Sequence, residues 1–92
     1  MSTRPHVAKK YVVEYGWTPS LEEFTTMINK IQEIDENIIE WKDEEGNSYE
    51  LSKEVLRKVR IDFNAPSEVR DFAVKLLLNS DPELEYVKVD LF

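Results

Sequence analysis

The chain contains no cysteine and only one histidine, His6. The missing cysteines exclude disulfides, thiolate metal sites and a cysteine nucleophile together. His6 stands in an N-terminal stretch with no serine or cysteine motif to receive its help, so no hydrolase-type triad is expected. Glycine is nearly as scarce. With Gly16 and Gly46 alone, neither a dinucleotide-binding nor a Walker-type phosphate loop can be built, because both need several glycines at fixed spacing. Long apolar runs are absent too. The longest centres on Leu76–Leu78, far short of the roughly 18–20 residues that span a bilayer. Met1 to Ala8 has no apolar signal-peptide region. The resulting expectation is a cytoplasmic protein without membrane association, catalytic residues, cofactor or metal.

What is present suits a small folded domain. In 92 residues, 41% are apolar and 34% charged, and two Trp, four Tyr and four Phe supply large core side chains. A chain of this size buries roughly 60–70% of its unfolded surface, enough for one modest core. The net charge of −7 is concentrated. Between positions 33 and 50 stand Glu33, Asp35, Glu36, Glu40, Asp43, Glu44, Glu45 and Glu50 against one base, Lys42, while the remaining 74 residues are neutral overall. Lys53, Arg57, Lys58 and Arg60 form a cluster of opposite sign, and Arg4, Lys9 and Lys10 another.

Residues 1–8 lack periodicity and are expected to form a flexible arm, with one domain over 9–92. The β-branched and aromatic run Tyr11-Val12-Val13-Glu14-Tyr15 predicts a strand from about Lys9 to Tyr15, ending at Gly16. A helix follows, capped either by Thr18 ahead of Pro19 or by Ser20 with Glu23 three residues on. Its stripe is Leu21, Phe24, Ile28, Ile31 and Ile34 at spacings of three and four. Ile38–Lys42 and Ser48–Leu51 read as strands around the turn 43–47, with Gly46 in the left-handed conformation and Trp41 and Tyr49 placed to pair across it. Ser52 caps a short helix near 52–58. Val59-Arg60-Ile61-Asp62-Phe63 then alternates like a half-buried strand. Pro66-Ser67 opens a helix with the stripe Val69, Phe72, Ala73, Leu76 and Leu77, stopped by Ser80-Asp81-Pro82. In the last strand, Val87, Val89 and Leu91 face one way and Lys88 and Asp90 the other.

A short echo suggests an arrangement. Aromatic residue, Pro-Ser helix start and strand recur 47 residues apart, at Tyr15–Ser20 and Phe63–Ser67. Two such strand–helix–strand units resemble the split βαβ, or ferredoxin-like, sandwich. That implies an α+β fold with an antiparallel sheet, two main helices on one face and the short helix near 52–58 as an addition.

The turn Asp43-Glu44-Glu45-Gly46-Asn47 fails the calcium-loop spacing and reads as a solvated turn. An overall pI near 4.7 and the absence of a ribonucleoprotein signature argue against direct nucleic-acid binding by the bases at 53–60. Trp17 reads as a staple on the following helix. Trp41, ringed by acids, has the make-up of an interface anchor.

The function expected is therefore a non-enzymatic interaction or regulatory module that docks a basic protein. The partner-binding residues would be Glu36, Glu40, Trp41, Asp43, Glu44, Glu45 and Tyr49. A special case is a nucleic-acid mimic that inhibits a DNA- or RNA-binding protein, as small acidic proteins of mobile elements do. A third class is a homo-oligomeric assembly subunit, in its simplest form a homodimer, with Tyr86–Phe92 as the pairing strand.

Overall fold

The computed structural model describes residues 3–10 and 14–92. Its elements in chain order are β1 (Pro5–Lys10), β2 (Glu14–Trp17), α1 (Leu21–Ile34), a 3-10 turn (Glu36–Ile38), β3 (Ile39–Lys42), β4 (Ser48–Ser52), α2 (Lys53–Arg60), α3 (Ser67–Leu78) and β5 (Tyr86–Leu91). The strands form one sheet of order β2-β1-β5-β4-β3, and each neighbouring pair is antiparallel. The fold is thus α+β. No helix of the described residues is long and apolar enough to cross a membrane.

Local sequence signals set the helix starts. The Ser20 hydroxyl accepts from the Glu23 N–H at 3.1 Å, so of the two candidate caps for α1 it is Ser20 that satisfies an otherwise orphaned donor, worth about 1 kcal/mol. Ser52 does the same for Val55 N–H at 3.2 Å. In β5 the alternation carries through: Val87 and Val89 are buried and Lys88 and Asp90 are not.

All three helices cover one face of the sheet. Phe24, Ile28 and Ile31 of α1, Val55, Leu56 and Val59 of α2, and Val69, Phe72, Ala73 and Leu76 of α3 pack with Val7, Leu51, Val87 and Val89 in one core. Side chains alternate across a strand, so His6, Glu50, Lys88 and Asp90 belong to the opposite face, which no helix of the described residues covers.

Several expectations need correction. From Pro5 onward the supposed arm is β1, paired with β5 through Pro5↔Leu91, His6↔Asp90 and Val7↔Val89. Proline is tolerated there as the first residue of a strand. Tyr11, Val12 and Val13, the heart of the predicted first strand, lie outside the described residues. The strand expected at 59–63 does not form. Val59 and Arg60 complete α2, while Ile61 and Phe63 stand 68% and 90% exposed in the following turn. A five-residue alternation cannot compete with a Ser-capped helix that buries Val55, Leu56 and Val59 together. Without that strand the two halves are not equivalent units, and β5 lies between β1 and β4 instead of completing a second strand–helix–strand repeat. For the same reason Tyr86–Phe92 is not a free pairing strand, since both edges of β5 are already bonded. The open edges of the sheet are β2 and β3.

Candidate functional site

The acidic segment forms the β3–β4 hairpin and its approach. Asp43 N–H donates to Ser48 O at 2.9 Å and Gly46 N–H to Asp43 O at 2.9 Å, closing the turn. Gly46 takes φ +73°, a conformation that a Cβ would strain. The turn chemistry therefore follows the expected pattern.

The register within the hairpin is irregular. Ile39 faces Leu51 and Trp41 faces Glu50, so two steps along β3 match one along β4. Glu40 is the extra residue of this bulge, which re-aims the side chains that follow. Trp41 lands on the open face with Glu50, 45% exposed, and the Lys88 ammonium lies 4.8 Å from its ring centroid. Tyr49 pairs with Lys42 and turns toward the helices, its ring edge-on to Phe24 at 5.7 Å. The expected Trp41–Tyr49 pair does not form. Tyr49 packs against the core and leaves the candidate surface.

The remaining acids stay together at the edge. Glu36, Glu40, Glu44 and Glu45 are exposed and Asp43 is half-buried in the turn. Of the eight acids between 33 and 50, Asp35 alone among the described residues makes an ion pair, with Lys58 at 3.0 Å. The Asp35 carboxylate also accepts from Asn37 N–H at 3.0 Å. That backbone bond first, and Lys58 second, hold its carboxyl below the usual aspartate range. The same contact raises Lys58 above the ordinary lysine value.

The basic cluster is dispersed by the fold. Lys53 is buried and its ammonium donates to Asp81 O at 2.7 Å. Burial, then the neighbouring Arg57, lowers its pKa, partly offset by Glu85 and Asp81. Arg57 and Arg60 remain exposed on the last turn of α2.

Sequence reasoning missed one feature of the open face. Asp90 accepts from Tyr15 Oη at 3.0 Å and from Ser48 Oγ at 2.8 Å, with Lys88 at 3.9 Å. Beside it, His6 stacks on Phe92 with ring centroids 3.8 Å apart, and Tyr15 tilts against both at 5.5 Å. His6 is therefore half-buried in a cluster, its Nδ1 2.9 Å from Thr18 Oγ1. The three rings come from positions 6, 15 and 92, and nothing local in the sequence links them. Burial and the Asp90 carboxylate raise the Tyr15 phenol above its ordinary value. Trp17 is a packing residue, though on Phe72 of α3, at 5.3 Å, instead of the first turn of α1.

A surface cavity of ≈ 480 Å³ lies between Lys9 and the end of α3, lined also by Leu77, Leu78 and residues 80–83. Among the described residues no group of three His, Asp or Glu side chains is placed to hold a metal ion. No protein-family model matches this chain, and no curated protein or solved structure matches it either.

Proposed function

We propose that this protein is a non-enzymatic interaction module that docks a basic protein partner through the β3–β4 hairpin. The observation that carries this reading is Trp41. It is a large aromatic left 45% exposed on an open edge strand, next to Glu40, Glu44 and Glu45, which no cation of the described residues pairs. Unpaired carboxylates steer and orient a cationic partner, while an aromatic anchor supplies contact area at small entropic cost. Gly46 and the Glu40 bulge hold this surface in place, so little ordering remains to be done on binding. Tyr49, which faces the core, has no part in it.

The test is capture from a native lysate with two baits, the wild type and Glu40→Gln/Glu44→Gln/Glu45→Gln. The expected result is a basic protein retained by the wild type at low salt, released at moderate salt and missing from the variant. Identical captures by both baits would defeat the proposal. If the retained protein binds nucleic acid and the two ligands compete, the docking takes the form of mimicry.

A further inference from the structure

The turn joining α2 to α3 has the opposite character to the hairpin. Phe63 is 90% and Ile61 68% exposed, two of the four most exposed large apolar side chains among the described residues, with Leu78 and Phe92. Yet the turn is not loose. Asp62 N–H donates to Val59 O at 3.1 Å, Ala65 N–H donates to Asp62 O at 3.1 Å, and Asp62 Oδ1 accepts from Asn64 N–H at 2.9 Å. An apolar side chain presented on a held turn costs little ordering when a partner covers it. Around it stand several cations, with the Asp62 carboxylate held inside the turn by Asn64 N–H. Arg57 and Arg60 end α2, and the Arg70 guanidinium lies 5.9 Å from the Phe63 ring. None of the three arginines has an ion pair among the described residues, and Arg70 Nε has no acceptor there. The nearby Lys58 is already engaged by Asp35, and Glu68 by Lys30.

We propose that this turn is a second docking surface whose occupant is the acidic hairpin of another copy of the same chain. The inference rests on the docking role of the hairpin and adds a second occupant for it, a local cluster of arginines on a copy of this chain in place of a basic protein. Charge complementarity carries it. Arg70 over Phe63 and the exposed Arg57 and Arg60 on the last turn of α2 would meet Glu40, Glu44 and Glu45 of the hairpin, and guanidinium–carboxylate contacts are the strongest of the exposed pairings. Each surface also offers one exposed aromatic ring. Within a copy the Asp35–Lys58 pair ties the approach of the hairpin to the last turn of α2, while no ion pair of the described residues uses Glu40, Glu44 or Glu45 or the three arginines. Because the contact uses two different surfaces, it is head-to-tail, and every added copy leaves one surface of each kind open.

Sedimentation velocity over a concentration series tests this with the wild type and two neutralising variants. The hairpin variant is Glu40→Gln/Glu44→Gln/Glu45→Gln, and the turn variant is Arg60→Gln/Phe63→Ser. All five positions are exposed, and circular dichroism confirms that each variant is folded. The wild type is expected to sediment above its single-chain mass of 10.9 kDa as concentration rises, and to fall back toward it as salt rises. Each variant alone is expected to remain a single chain. An equimolar mixture of the two is expected to form dimers that grow no further, because only one complementary pair of surfaces survives. A wild type that stays a single chain, a variant that associates as the wild type does, or a mixture no heavier than its components would each overturn the proposal. If the wild type stays single yet its hairpin still captures a basic protein, self-docking is wrong and the docking role stands.

Discussion

The same strands build two unlike faces. Toward the helices, β4 and β5 present Leu51, Val87 and Val89, none of them exposed. Toward the open side they present Ser48, Glu50, Lys88 and Asp90, tied to Tyr15 and Trp41 through hydrogen bonds and a cation over a ring. The covered face is held by apolar burial, which is additive over a large area. The open face is held by a few exposed and half-buried polar contacts, each worth about 1 kcal/mol, and by the small ring cluster of His6, Tyr15 and Phe92. Stability should therefore reside on one face, leaving residues on the other free to be chosen for recognition.

Truncation in the covered face should have the largest effect. Leu51→Ala removes a fully buried side chain and should destabilise the fold by about 2–5 kcal/mol in urea titration. Trp41→Ala on the open face should lower stability by less than about 1 kcal/mol, although Trp is the larger residue. Equal losses would abolish the distinction between the faces. Next comes the hairpin backbone. Gly46→Ala forces a Cβ onto φ +73° and should lower stability by about 1 kcal/mol. Smaller again is Tyr15→Phe, which removes the 3.0 Å hydrogen bond to Asp90. A loss of about 0.5 kcal/mol is expected, because the bond is exposed to water.

The smallest effect sharpens the comparison through pH. Asp35 has a folded pKa below its ordinary value of 3.8. Its contribution to stability is therefore complete above the unfolded value and is lost as pH falls through the lowered folded one. Asp35→Asn should flatten the acid limb of the stability–pH curve in that window and leave the neutral region's slope unchanged. An unaltered acid limb would show that the Asn37 and Lys58 contacts do not hold the carboxylate in solution.

How far the sequence revealed these faces depended on whether the relevant signal was local. Ser20 and the Phe24–Ile28–Ile31 stripe specify α1 within a few turns, and Asp43 to Gly46 specify the turn. The strand at 59–63 was misread because alternation over five residues fits a strand and the end of an amphipathic helix alike. Strand β1 was missed because Pro5, His6 and Val7 show no alternation by themselves. Those three residues are held in the strand by β5, more than 80 residues away, and Val7 also by Trp17 of β2. The Trp41–Tyr49 pairing failed on one bulged residue, Glu40, which sends the two rings to opposite faces. Of the expected docking residues, Trp41 and its exposed acids do lie together at the edge, whereas Tyr49 does not.

The most direct test of the central claim is the salt dependence of partner affinity, measured in parallel for the wild type and Glu40→Gln/Glu44→Gln/Glu45→Gln. The partner is the principal basic protein retained by the wild-type bait. The account predicts that wild-type affinity falls as salt rises, and that the variant binds at least about tenfold more weakly at low salt with an unchanged thermal midpoint. Equal affinities and equal salt slopes for the two proteins would contradict it, and would leave the hairpin as a solubilising edge of the sheet.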